Sequence, residues 1–222
     1  MARASRDPDI DRANAQTADA PDRAPCALLL IDVINDLEFV GGEKLLPRAL
    51  PMAKKLATLV KRARAAHVPV IYVNDNFGKW RSDFRAQVRH CLEDGVRGQP
   101  LVEILRPRDD DYFVLKPKHS AFFSTALETL LQALETETLV LSGLAGDNCV
   151  LFTAHDAYMR DYRLFVPSDC IASESPTSNA WALRHMARFL KVDTNAGAKV
   201  DFMRLKRLKR AGRRQRNVTH GA

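Results

Sequence analysis

Apolar residues along the chain fall into short continuous runs separated by longer, partly polar stretches. The runs occupy residues 27–32, 68–74, 112–116, 138–142 and 163–167. Short runs without polar alternation are typical of strands buried on both faces of a sheet. We therefore predict a strand at each run.

Several intervening stretches carry apolar residues at the three- and four-residue spacing of an amphipathic helix. The predicted stripes are Met52, Leu56, Leu59, Val60 and Ala63; Leu127, Leu130, Leu131 and Leu134; Val150, Ala154, Ala157 and Tyr158; and Leu183, Met186 and Leu190. Strands alternating with helices predict an α/β fold with three α/β/α layers around a mostly parallel, doubly wound, Rossmann-like sheet. The charged, weakly periodic segment 77–108 predicts a loop and a short helix that could cover an active site.

The terminal segments differ in composition from the rest of the chain. Residues 1–24 are polar and aperiodic, which predicts a disordered leader before a single folded domain at 25–202. Residues 203–222 hold eight Lys or Arg and no acid, so the rest of the chain carries 26 of the 34 bases against 27 acids. The basicity therefore belongs to a tail, which we expect to be disordered. It is either a solvated extension or a contact for nucleic acid or anionic lipid.

Length and composition restrict the class of protein. A chain of 222 residues with 46% apolar content can bury one sizeable core. No apolar run approaches the roughly 20 residues of a membrane span, and the N-terminus lacks the apolar centre of a secretory signal, so we expect a cytoplasmic protein. The four cysteines show no CxxC spacing, which predicts reduced thiols.

Polar residues with complementary chemistry end three of the predicted strands or follow them. Asp32 ends the first, Lys116 ends the third, and Cys149 starts a predicted helix after the fourth. Ligands of open parallel sheets bind beyond the carboxyl ends of the strands, so these side chains should meet. An aspartate base, a lysine cation and a thiol favoured as thiolate by a helix start would suit nucleophilic catalysis. Taken singly, each has a structural alternative: a helix cap, a solvated lysine and a buried cysteine.

Three sequence blocks carry a family resemblance. They are Asp32-Val-Ile-Asn35-Asp36-Leu37, Lys116-Pro-Lys-His-Ser120-Ala121-Phe122 and Gly143-Leu-Ala-Gly-Asp147-Asn-Cys149-Val150. In this order and spacing the chain resembles the isochorismatase-like cysteine hydrolases, a superfamily that includes nicotinamidases, N-carbamoylsarcosine amidases and ureidoacrylate amidases. The resemblance covers roughly residues 25 to 195, with Leu37 in place of the usual phenylalanine.

The resemblance implies a catalytic triad and an oxyanion hole. Asp32 would accept a proton, Lys116 would stabilise the thiolate and the intermediate, and Cys149 would attack. The Leu144–Ala145 peptide bond would be cis, and the N–H groups of Ala145 and Cys149 would form the oxyanion hole. Relatives are commonly dimers or tetramers, which implies a homodimer or homotetramer.

The segment after the second strand departs from the nicotinamidase pattern. Nicotinamidases bind a metal there through histidines, whereas residues 73–81 contain none. We therefore expect no metal and no other cofactor, although Asp75 is a conceivable ligand, and nicotinamide becomes a less favoured substrate. Candidate substrate-binding residues are Asn74, Trp80, Arg81 and Phe122.

Neighbouring residues compete for the same roles. Lys118 competes with Lys116, but the family spacing selects Lys116 and leaves Lys118 facing solvent. His119 and His155 could be mistaken for the base of a Cys–His pair. His155 lies six positions after Cys149 on the same predicted helix, so we expect it to point away and to be structural.

The sequence thus predicts an enzyme that hydrolyses a C–N bond of a small amide or ureido compound through a Cys149 thioester. Two alternatives remain at this point. One is a vinyl-ether hydrolase of the isochorismatase type, which would use Asp32 and usually lacks the cysteine. The other is a non-catalytic nucleic-acid-binding or scaffold protein that acts through the basic tail.

Overall fold

A parallel sheet forms the centre of the computed structural model, which describes residues 23–76 and 83–208. Within those residues it has six strands: β1 (Cys26–Ile31), β2 (Val70–Asp75), β3 (Tyr112–Lys116), β4 (Thr138–Leu144), β5 (Arg163–Phe165) and β6 (Ile171–Ala172). The order across the sheet is β3-β2-β1-β4-β5, and β6 pairs with the end of β4. All of these pairings are parallel.

Helices cover both faces of the sheet. They are α1 (Gly42–Ala65), α2 (Phe84–Glu93), α3 (Gln99–Ile104), α4 (Leu127–Ala133), α5 (Cys149–Met159), α6 (Pro176–Phe189) and α7 (Phe202–Leu205), with a 3-10 turn at Gly197–Lys199. Side chains of β1 alternate between two cores: Leu28 and Leu30 pack with α1, α2, α3 and α7, whereas Leu29 and Ile31 pack with α4, α5 and α6. This arrangement confirms the predicted α/β fold with three α/β/α layers.

Helix α1 is longer than the predicted stripe at 52–63. It begins at Gly42 and continues through Pro47 and Pro51. A proline inside a helix costs about 3 kcal/mol because it removes a hydrogen bond and crowds the preceding turn. The helix persists because Leu45 and Ala49 extend the buried stripe by another two turns onto the sheet.

The segment 77–108 contains more helix than predicted. Helices α2 and α3 occupy most of its described part, where we had expected a single short helix. Both pack against one another and α3 packs on α1. A cover over the active site from residues 77–108 stays a prediction, because residues 77–82 lie outside the described residues.

The predicted boundaries of the terminal segments are wrong by a few residues. Ala24, placed in the leader, is 2% exposed, and its carbonyl accepts a hydrogen bond from Thr136. At the other end α7 and the following turn belong to the fold: Leu205 is 3% exposed, because apolar residues interrupt the basic run and reach the core. Residues 1–22 and 209–222, which hold the rest of the predicted leader and tail, are outside the described part. No helix in residues 23–76 or 83–208 is long and apolar enough to cross a membrane.

Candidate active site

Three predicted side chains meet at the carboxyl edge of the sheet. The Nζ atom of Lys116 lies 2.9 Å from Oδ2 of Asp32 and 3.5 Å from Sγ of Cys149. Lys116 ends β3, whereas Asp32 directly follows β1, and β2 runs between those two strands. The long lysine side chain therefore crosses the end of β2 to place one ammonium between a carboxylate and a thiol.

Asp32 is held on the buried side of this group. Its backbone turns sharply after β1, with a φ of 51°, and its N–H donates to the Val73 carbonyl over 2.9 Å. Its Oδ1 accepts a 2.7 Å hydrogen bond from the N–H of Asp75. Burial raises the pKa of the Asp32 carboxyl above its usual value, while the charge of Lys116 opposes the shift. Asp32 is thus a stronger proton acceptor than an exposed aspartate.

Lys116 is a fully buried cation with acidic neighbours. It is 0% exposed, and a second carboxylate, that of Asp75, lies 3.5 Å from Nζ. Burial alone would lower its pKa, but the nearby carboxylates of Asp32 and Asp75 outweigh burial and raise the pKa above the ordinary lysine value. The side chain therefore stays charged at the reaction centre, as buried charges do when they are paired.

Cys149 rests as a thiol in this arrangement. Its side chain lies at the first residue of α5 and is 8% exposed. Burial raises the pKa of the thiol to about 12, the charge of Asp32 adds to that shift, and Lys116 opposes it. Burial and the charge of Asp32 thus act against the thiolate that the helix start and Lys116 are expected to favour.

A tight loop delivers Cys149 from the end of β4. Gly143 has a φ of 109°, and a Cβ there would lie 2.1 Å from the Ile31 carbonyl oxygen, so β1 and β4 approach too closely for a side chain. The Leu144–Ala145 peptide bond is cis, as the resemblance implied. The N–H of Gly146 then donates to the Ala172 carbonyl over 2.9 Å, which fastens the loop to β6.

The start of α5 supplies backbone donors beside the thiol. The carbonyl of Ala145 accepts hydrogen bonds from Asn148 and Val150 at 3.0 and 3.1 Å, so the loop folds back onto the first turn. The N–H of Cys149 belongs to that first turn, where helical N–H groups have no acceptor within the helix. Such groups can stabilise negative charge on a substrate oxygen.

The second sequence block is tied by hydrogen bonds to α5, the helix that begins at Cys149. The hydroxyl of Ser120 bonds the carboxylate of Asp156, and the N–H of Ala121 donates to Oγ1 of Thr153 over 3.0 Å. Both acceptors lie on α5. These contacts hold the segment after Lys116 against the helix that begins at Cys149.

Two of the predicted substrate-binding residues lie in the core. Asn74 is 0% exposed and donates a 2.7 Å hydrogen bond to the Ile34 carbonyl. Phe122 is 4% exposed, with the guanidinium of Arg160 4.7 Å above its ring. The hydrogen bond of Asn74 directs its amide into the core, which corrects its prediction as a substrate contact. Phe122 belongs to the same apolar cluster as Cys149, and its role stays a prediction. Trp80 and Arg81 lie outside the described residues.

His119 lies beside the thiol, a position that the sequence does not predict. Its Nδ1 atom is 3.8 Å from Sγ of Cys149, and the imidazole is exposed and packs near the ring of Phe152. The signal in the sequence was its place between Lys116 and Ser120, both of which the resemblance anchors at the site. Lys118 is exposed, as expected. His155 instead contacts His185, with 3.1 Å between their Nε2 atoms.

Metal binding would require a cluster of side chains that can act as ligands. Across the parts of the chain given above, no group of three or more His, Cys, Asp or Glu side chains is arranged to hold a metal ion. The expectation of no metal remains a prediction, because part of the segment after β2 is not described.

The fold and the site together define a class: an α/β protein with a buried Asp–Lys–Cys set at the carboxyl edge of a parallel sheet. The family model that describes the isochorismatase domain matches residues 26–197 of the sequence. The chain belongs to the isochorismatase family, as the three sequence blocks predicted, and is a hydrolase of that family.

Individual relatives agree with this assignment. The chain is 42% identical over 168 residues to the uncharacterized isochorismatase family protein YaaI of Bacillus subtilis (strain 168), covering 76% of this chain and 92% of that protein. It is 28% identical over 205 residues to the ureidoacrylate amidohydrolase RutB of Methylobacterium radiotolerans, covering 80% and 77%. The crystal structure of N-carbamoylsarcosine amidase from Thermoplasma acidophilum superposes with a TM-score of 0.62 at 28% identity, covering 79% of this chain and 98% of that one.

Proposed function

We propose that this protein hydrolyses a C–N bond of a small amide or ureido compound through a thioester on Cys149. One observation carries the proposal: a single buried ammonium, that of Lys116, lies within 3.5 Å of both the Cys149 sulfur and the Asp32 carboxylate. A thiol, a proton acceptor and a charge that stabilises the thiolate are the groups that acyl transfer to sulfur requires.

Acylation begins with proton transfer inside the buried set. The thiol of Cys149 gives its proton to Asp32, whose pKa is raised by burial. The thiolate forms beside Lys116 and attacks the carbonyl carbon, making the C–S bond. Asp32 then gives the proton to the departing nitrogen as the C–N bond breaks, so the carboxylate returns to its initial state.

Negative charge on the carbonyl oxygen during attack needs donors that face it. The N–H groups of Ala145, in the loop before α5, and of Cys149, the first residue of α5, are proposed for this role. Removing one such donor from other enzymes lowers kcat by about 100- to 1000-fold. Water finally cleaves the thioester, which releases the acid and restores the thiol.

The relatives support the amide route over the vinyl-ether route. RutB is named a ureidoacrylate amidohydrolase, and the superposed structure is named an N-carbamoylsarcosine amidase. Both names describe hydrolysis at nitrogen.

Trp80 and Arg81 stay proposed substrate contacts, with the arginine suited to a substrate carboxylate. We also propose that the protein is a homodimer or homotetramer and that it is located in the cytoplasm.

Ammonia release from a panel of amides, carbamoyl compounds and ureides tests the proposal. We expect the native chain to release ammonia from at least one class and Cys149→Ser to release none. Cys91→Ser is the matched control, because Cys91 is a buried cysteine of α2 in the core on the opposite face of the sheet. Equal turnover by the native chain and Cys149→Ser, both folded, would overturn the proposal.

A further inference from the structure

The two sides of the Cys149 sulfur differ in their access to water. On the inner side, Asp32 is 5% exposed and Lys116 is 0% exposed. On the outer side, His119 is exposed and its Nδ1 atom lies 3.8 Å from the sulfur. An imidazole that is open to solvent and close to the sulfur can contact a water molecule that attacks a thioester on Cys149.

The bonding of Asp32 adds to this difference. Each of its carboxylate oxygens already has a close partner. Oδ1 accepts a 2.7 Å hydrogen bond from the N–H of Asp75, and Oδ2 lies 2.9 Å from Nζ of Lys116. Those contacts hold the carboxylate beside the buried thiol, from which it can take a proton directly.

The imidazole is held where a base for that water would be needed. His119 follows Lys116 by three residues and directly precedes Ser120, whose hydroxyl bonds Asp156 on α5. The ring of Phe152, also on α5, lies 5.4 Å from the imidazole, centroid to centroid. Contacts to one helix thus place Nδ1 of His119 near the sulfur at the start of that helix.

We propose that His119 is the general base for hydrolysis of the thioester, so that the two half-reactions use different proton acceptors. The inference rests on the proposed function. In the step, a water oxygen forms a bond to the thioester carbonyl carbon and a water proton moves to Nδ1 of His119. The C–S bond then breaks, the acid leaves, and the proton returns from His119 to the adjacent sulfur. The thiol is regenerated with no other reactant.

The test uses p-nitrophenyl acetate, which acetylates a reactive thiol without any knowledge of the natural substrate. The burst of p-nitrophenolate measures acetylation of Cys149, and the mass of the intact protein follows loss of the acetyl group. General-base catalysis contributes about 100- to 10,000-fold to a rate. We expect His119→Ala to keep the burst and to prolong the lifetime of the acetyl-protein by about 100-fold or more.

Two further variants separate base catalysis from simple positioning. His119→Asn keeps a hydrogen-bonding group near Nδ1 but cannot take a proton at neutral pH, so it should resemble His119→Ala. Lys118→Ala, next in sequence and exposed, should behave like the native chain.

Failure of the proposed role of His119 can be distinguished from failure of the proposed function. A lifetime in His119→Ala within about threefold of native, far below the range for general-base catalysis, would overturn the role of His119 alone. A native lifetime in His119→Asn would likewise overturn it, in favour of a hydrogen bond that positions substrate. A native chain without a burst dependent on Cys149 would overturn the proposed function itself.

Discussion

The ammonium of Lys116 lies 2.9 Å from the carboxylate of Asp32, and the lysine is fully buried. The pair places a positive and a negative charge at the same thiol, and the two act on its ionisation in opposite directions. The reactivity of Cys149 therefore depends on the balance between them rather than on either residue alone.

Removing one member of this pair at a time should shift thiol alkylation in opposite directions. Asp32→Asn removes a charge that raises the pKa of Cys149, so the thiolate becomes more populated and iodoacetamide reacts faster at neutral pH. Lys116→Met removes a charge that lowers that pKa, so alkylation slows. Each pKa unit changes the rate about tenfold below the pKa. The measurement is the alkylation rate of the Cys149 peptide by mass spectrometry.

The same two variants should both lose hydrolysis, even though alkylation accelerates in one of them. Asp32→Asn cannot accept the thiol proton, and Lys116→Met cannot stabilise the thiolate. Parallel changes of alkylation and turnover in both variants would show that the charges act only on thiol ionisation and would refute the role of Asp32 as proton acceptor.

The pH dependence of hydrolysis should show the raised pKa of Asp32. As the pH falls through that pKa, Asp32 becomes protonated in the free protein and can no longer take the proton of Cys149, so kcat/KM falls. Burial places this acid limb above about 3.9, the usual pKa of aspartate. The profile of kcat/KM against pH reports it. An acid limb at or below the ordinary aspartate value would contradict the assignment.

The chain should tolerate no side chain at Gly143, near the end of β4. Gly143→Ala puts a Cβ 2.1 Å from the Ile31 carbonyl oxygen, at a φ of 109°. Such strain and overpacking cost about 1 to 3 kcal/mol each, so we expect a loss of about 3 kcal/mol in the free energy of unfolding. Denaturant titration measures it. Gly95→Asn is the control, because Gly95 also has a positive φ but no heavy atom lies within 4 Å of a Cβ built there.

The segment after residue 202 should contribute to stability. Leu205 is 3% exposed in the core beside α1, so Leu205→Ala is expected to cost about 2 to 5 kcal/mol of unfolding free energy. Met203, in the same short helix, is 52% exposed, and Met203→Ala should cost much less. Denaturant titration measures both losses. Equal, small losses of unfolding free energy in the two variants would support a tail that begins at residue 203.

The sequence indicated the layers of the fold and the reactive centre because both depend on local patterns. Buried runs mark the main strands of a parallel sheet, and strand ends meet at one edge, which is how Asp32, Lys116 and Cys149 could be placed together. The cis bond at Leu144–Ala145 came from the resemblance alone, since neither residue is a proline.

Other features depend on tertiary contacts that local patterns do not show. The two-residue strand β6 has too few residues to give a pattern, and α1 continues through Pro47 and Pro51 only because its extended stripe is buried. Asn74 was expected in a pocket because strand ends bind ligands. The alternation of side chains along β2 instead directs it, with Tyr72, away from the Cys149 face, where it donates to the Ile34 carbonyl.

Isolation of the acylated protein during turnover tests the central claim most directly. The native chain, acid-quenched while it hydrolyses the best amide of the panel, should carry the acyl group of that substrate on the peptide containing Cys149. Hydroxylamine should remove the group, as expected for a thioester. An acyl group absent from Cys149 at every quench time, together with undiminished turnover by Cys149→Ala, would contradict the account.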